Sequence, residues 1–112
     1  MAETIVFFGK YTTLVEGTYY SDPFEVTGYK DVAAQTMLTA TVGAGAALSG
    51  QMEQSSDLIT WSNFGSAMMP TAGNVATELE ADPARYIRLK ATVTGSGSAV
   101  ITFWAKAVVR EA

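Results

Sequence analysis

With 112 residues, the chain is long enough for one domain with its own core. Hydrophobic residues make up 48% and charged residues 16%, and the formal net charge is −4; this excludes a disordered chain and, with no positive excess, argues against nucleic acid as the main partner. Cysteine and histidine are both absent, which removes thiol nucleophiles, disulfides, the usual zinc ligands and every imidazole acid–base mechanism.

The first ten residues carry Glu3 where a secretion signal has bases, and their apolar run stops after four residues, so no signal peptide is expected. Nor does any stretch approach the roughly 20 apolar residues of a membrane helix. Thr4 to Phe8, β-branched and aromatic and closed by Gly9, reads as a short strand. Residues 1–10 form either the first strand of the domain's own sheet or an arm that adds to a neighbouring subunit's edge. Tyr11 to Val15 predicts a second strand, Glu16-Gly17 a turn, and Thr18 to Tyr20 a third strand, which runs into the turn Ser21-Asp22-Pro23. Phe24 to Asp31 reads as a short crossing strand and corner that sends Phe24 and Val26 toward the core.

From Ala34 to Val42, residues alternate between a face with Thr36, Leu38, Ala40 and Val42 and a face with Gln35, Met37, Thr39 and Thr41. Gly43 to Ala46 breaks the pattern and Ala47 to Gln54 restores it, which predicts a hairpin. Ser55-Ser56-Asp57 supplies turn chemistry, and Trp61 is expected at the edge of the core. Asn63 to Asn74 reads as an irregular loop holding Met68-Met69-Pro70; like Tyr19-Tyr20, this cluster is either an exposed interface patch or a core plug. Val75 to Glu80 predicts another strand, with Glu78 and Glu80 on one face, and Asp82-Pro83 a turn.

The remainder, Ala84 to Arg110, reads as a second hairpin around Gly95-Ser96-Gly97-Ser98. Ile87, Leu89, Ala91 and Val93, then Ile101, Phe103, Ala105, Ala107 and Val109, form the inward faces. Pairing Val93 with Ala99 sets Leu89 opposite Phe103 in the core and Arg88 opposite Trp104 outside, as a cation–π pair. About eight short strands with no amphipathic helix make the fold class all-β: a single-domain antiparallel β-sandwich of the jelly-roll kind.

Three pieces of this pattern carry a resemblance: Ser56-Asp57 followed by Thr60-Trp61-Ser62, the strand Ala84-Arg85-Tyr86-Ile87-Arg88-Leu89-Lys90, and the Gly/Ser loop with Val100-Ile101-Thr102-Phe103. Over about residues 24 to 110 the chain resembles the small jelly-roll proteins encoded in bacteriophage structural gene clusters, in which a Ser-x-Asp-Gly-x-x-Trp turn precedes an Arg-Tyr-(Ile/Val)-Arg strand. It is also similar to discoidin-like and galactose-binding-like domains. Leu58-Ile59 stand where those patterns often have a glycine, and the bracketing cysteines of discoidin domains are missing. The phage resemblance implies a non-enzymatic virion protein, made in the host cytoplasm, that decorates the capsid or attaches to the tail. Its implied partners are the major capsid protein and further copies of itself, most often as a trimer.

Two groups are candidate contacts for such assembly. One is the N-terminal strand residues Ile5, Val6, Phe7 and Phe8; the other is the outer face of the last two strands, with Tyr86, Arg88, Lys90, Trp104 and Lys106. The plainer reading of the second group is the ordinary solvated face of a sheet. The alternative function is a carbohydrate-binding module stacking sugars on Trp61, Trp104 or Tyr86. No cofactor is expected. Asp22, Asp31, Glu53, Asp57 and Asp82 lie in or near turns, where capping is favoured over calcium binding because no spaced ligand motif is present. Glu78 and Glu80 lack the flanking-cleft arrangement of a glycosidase pair, and the Gly95 to Ser98 tip opens no helix that would cradle a phosphate.

Overall fold

The computed structural model describes residues 2–96 and 98–111. Among them the secondary structure is all strand: β1 (Ala2–Val15), β2 (Gly17–Tyr20), β3 (Phe24–Glu25), β4 (Tyr29–Val42), β5 (Ala47–Ser55), β6 (Ser62–Asn63), β7 (Val75–Ala81), β8 (Tyr86–Thr94) and β9 (Val100–Glu111). One sheet has the order β1-β9-β4-β7; the other runs β2-β8-β5-β6, with β3 also on β8. Every assigned pairing is antiparallel. Counting β2 and β3 as two pieces of one strand, this is the eight-stranded jelly roll, in which the chain repeatedly changes sheets.

Period-two patterning builds the core. Every second residue of β8 and β9 points inward, so Ile87, Leu89, Ala91, Val93, Ile101, Phe103, Ala105, Ala107 and Val109 are buried. From β4 and β5 they meet Val32, Ala34, Leu38, Leu48 and Met52. β4 begins at Tyr29 rather than Ala34, and a bulge after Leu38 ends its buried run, leaving Ala40 and Val42 exposed. Between β2 and β3, Pro23 cannot donate to the ladder. Ser21 carries the pairing across instead: its N–H donates to the Leu89 carbonyl at 2.9 Å, and its Oγ accepts from the Leu89 N–H at 2.8 Å.

The N-terminal stretch is one strand rather than two. β1 pairs with β9 from Ala2 to Val15, and register shifts on either side of Phe8 absorb the irregularity around Gly9. Phe7 and Val26 are buried, Phe24 packs against the core, and Phe7 meets Phe24 edge-on at 5.9 Å. The 63–74 loop supplies a plug: Gly50 and Met68 exchange backbone hydrogen bonds of 2.8 and 2.7 Å, burying Met68 against the Thr36 hydroxyl. Met69 stays exposed, so the methionine pair divides between the two roles considered for it. Tyr19 likewise packs on the core while Tyr20 lies outside.

Both expected hairpins are corrected. β4 and β5 lie in opposite sheets, and so do β8 and β9. Val93 pairs with Gly17 and Leu48 rather than Ala99, and Leu89 and Phe103 enter the shared core from different sheets rather than facing each other across a ladder. The two crossings sit side by side, with Ser96 N and Oγ both donating to the Ala44 carbonyl at 3.1 and 3.2 Å; Gly97, part of the expected loop, lies outside the described residues. Gly43 makes this junction. Its φ of +101° suits glycine alone, and an added Cβ would stand 2.9 Å from the Ser98 carbonyl oxygen and 3.0 Å from Ala99 Cα. Gly43→Ala is therefore expected to destabilise the domain by at least about 2 kcal/mol, measured by urea denaturation. Gly45→Ala, where nothing stands within 4 Å, serves as the control for φ strain without the backbone clash, and its cost should be smaller.

Candidate functional site

On the outer face of the β2-β8-β5-β6 sheet, Arg88 is the organising residue. β5 sets Glu53 directly opposite it, and the Arg88 Nε donates to Glu53 Oε1 at 2.8 Å, with the two side chains only 22% and 11% exposed. The guanidinium carbon lies 4.2 Å from the Tyr20 ring centroid and 4.1 Å from that of Trp61. A planar, weakly hydrated cation suits this arrangement: it stacks on rings while its edge bonds a carboxylate, which an ammonium cannot do. Trp61 reaches Arg88 through a built turn. Ser55 Oγ accepts from the N–H groups of Asp57 and Leu58 at 3.2 and 2.9 Å, and Asp57 Oδ1 accepts from those of Ile59 and Thr60, both at 2.9 Å. These donors hold the Asp57 carboxyl below the usual carboxylate range. Leu58 has φ +66°, the left-handed conformation that explains why the resembling sequences often have glycine at this point.

This geometry corrects two expectations. Trp61 packs on Arg88 outside the sheet rather than at the core edge, and Arg88 does not face Trp104, because β8 and β9 belong to different sheets. Tyr86, Arg88 and Lys90 therefore share one outer face, while Trp104 and Lys106 lie on the other sheet. Tyr86 is half-buried beside Arg85, and Lys90 stands between Tyr20 and Gln51. Tyr20, Glu53 and Trp61 went unnamed as partners of Arg88 because they come from three separate segments that only the sheet brings together.

On the outer face of the β1-β9-β4-β7 sheet, Trp104 lies between two lysines. Lys106 Nζ is 5.2 Å and Lys10 Nζ 5.3 Å from its ring centroid, within cation–π reach. Val6, Phe8 and Ala105 complete a shallow depression with these three. Of the four arm residues, Phe7 is buried, Ile5 and Phe8 pack against the core, and Val6 is 54% exposed. Lys10 was missed because the expected strand stopped at Phe8; the bulge near Gly9 carries β1 on to it. Val75 and Leu79 add exposed apolar surface on β7.

The acidic side chains are largely engaged. Asp31 accepts two bonds from Arg110, at 2.8 and 2.9 Å, and Glu25 pairs with Arg85 at 3.0 Å. Glu78 and Glu80 do share a strand face, and Glu78 Oε2 accepts from the Ser66 N–H at 3.1 Å. The hydrogen bond with Glu78 raises the Glu80 carboxyl above its ordinary range. A raised folded-state value gives stability that is present in acid and is lost as pH rises through it. Glu80→Gln is therefore expected to raise Tm at pH 7 and to change it much less in acid, where the Glu80 carboxyl is protonated; an equal gain at both pH values would refute charge repulsion as the cause. Among the described residues, no group of three or more acidic side chains converges as a metal site, and no helix is long and apolar enough to cross a membrane.

The strand order defines the protein as a jelly-roll β-sandwich, and comparison with solved structures agrees. The VP2 subviral particle of infectious bursal disease virus matches with a TM-score of 0.67 and 14% identity, over 99% of this chain and 32% of the VP2 chain. A structure of the Gx strain of infectious bursal disease virus matches with a TM-score of 0.65 and 12% identity, over the same shares. This chain thus spans about a third of the length of these viral chains. A Bacillus endospore appendage, from a family described as disulfide-linked pili, matches with a TM-score of 0.54 and 7% identity, over 100% of this chain and 88% of that one. No protein-family model and no curated protein sequence matches the chain.

Proposed function

We propose that the chain is a non-enzymatic structural protein of a virus particle, of the bacteriophage accessory kind, which binds the capsid or tail surface as a homo-oligomer. The observation that carries this reading is the β1-β9-β4-β7 and β2-β8-β5-β6 order, a fold it has in common with the VP2 subviral particle. A disulfide-linked assembly like that named for the endospore appendages has no cysteine here to form it, and the contacts proposed are non-covalent. The two outer faces divide them: Arg88 with Tyr20 and Trp61 offers one toward further copies of the chain, and Trp104 with Lys10 and Lys106 offers the other toward the particle. The resemblance to phage virion proteins, rather than any contact in the structure, makes a trimer the expected closed state.

Light scattering after size exclusion tests the assembly, with three times the chain mass as the expected result. Co-sedimentation with expanded phage capsids or tails tests the particle. A monomer that binds no particle would overturn the reading. The carbohydrate alternative is less well supported, since Arg88 lies against Trp61 and Arg85 against Tyr86. Micromolar glycan binding abolished by Trp104→Ala would favour it.

A further inference from the structure

The depression on β1 and β9 combines features that the opposite face lacks. It measures about 160 Å³, below the roughly 300–1,000 Å³ of a small-molecule site and suited to a single side chain. Its floor of Val6, Phe8, Trp104 and Ala105 is apolar. Lys10 and Lys106 flank the indole. All three ion pairs among the described residues use arginine, so neither lysine has a carboxylate partner there. Two uncompensated ammonium groups beside one ring, on a chain with net charge −4, form a local positive field over an apolar seat. β1 is also the rim strand of its sheet, with one side open to a further extended segment.

We propose that this depression binds an extended acidic segment of a partner protein, with one apolar side chain seated against Val6, Phe8 and Trp104 and flanking carboxylates meeting Lys10 and Lys106. Side chains two apart on an extended segment share a face at about 7 Å spacing, so an acidic-x-apolar-x-acidic pattern presents all three groups together. An acidic sugar would also offer a carboxylate and a stacking face, but its hydroxyls would find few partners on this floor. The proposal deepens the virion reading by naming the partner's chemistry, and rests on it only in taking the partner to be a protein.

The test follows the indole N–H signals of Trp104 and Trp61 in the intact ¹⁵N-labelled chain during titration with the capped pentapeptide Glu-Thr-Leu-Thr-Glu. A saturable shift of Trp104 alone is expected, weakened at least tenfold by Lys10→Gln with Lys106→Gln and by high salt. The controls are Lys-Thr-Leu-Thr-Lys, Glu-Thr-Ser-Thr-Glu and glucuronic acid. No Trp104 shift up to about 10 mM peptide, an equal response to the lysine peptide, or a response to glucuronic acid alone would overturn the proposal. So would a Trp104 shift on simple dilution of the protein, which would assign the seat to a second copy. Because particle binding and oligomer mass are measured separately, failure here leaves the virion reading to stand or fall on its own results.

Discussion

A chain lacking residues 1–8 is expected not to fold. In the intact chain β1 pairs with β9 along its length, Phe7 is buried against Phe24, and Phe8 meets Phe103 at 5.2 Å. Fully burying a large apolar side chain contributes about 1.5–3 kcal/mol, so losing buried Phe7 with partly buried Ile5 and Phe8 removes at most about 4.5–9 kcal/mol. That is comparable with the entire stability of a small domain. The loss also bares the backbone of β9, a central strand, as an unprotected edge. Far-UV circular dichroism should show no cooperative thermal transition in the truncated chain. A synthetic peptide of residues 1–15, added in trans, is expected to restore it by strand complementation. A transition within a few degrees of that of the full chain would refute the assignment of β1 to the core.

Arg88→Ala is the second large expected effect, at about 3 kcal/mol in urea denaturation. Glu53 has little solvent to fall back on, and removing its partner leaves a mostly buried carboxylate unpaired. Two ring contacts, worth about 0.5–1 kcal/mol each, go with it. Arg88→Lys keeps the charge but cannot reproduce the stacked fork, and should recover less than half of the loss. Pairing Arg88→Met with Glu53→Leu removes both charges, and its cost should fall well below that of Arg88→Ala alone. Were the double variant as unstable as Arg88→Ala, the cause would be lost packing rather than the stranded carboxylate.

Much of the fold was legible in the sequence. Strict alternation assigned the inward and outward residues of Tyr86 to Thr94 and Ile101 to Arg110 correctly, because strand geometry fixes side-chain direction locally. Ser55 and Asp57 announced their turn for the same reason, since each bonds amides within three residues. Pro23 and the 63–74 loop were likewise read from local chemistry.

What the sequence determined by itself was therefore most of the strands, their two faces and the all-β class, though it split β1 in two and gave no sign of the short β6. Only the tertiary structure decided which strands pair. A period-two pattern is satisfied equally when two consecutive strands lie side by side in one sheet and when they face each other across the core, since their apolar faces meet the same interior either way. The crossings at Gly43 to Ala46 and after Thr94 took the second course. That choice moved Trp104 to Lys10 and gave Arg88 to Tyr20, Glu53 and Trp61, contacts over sequence distances at which no local preference acts.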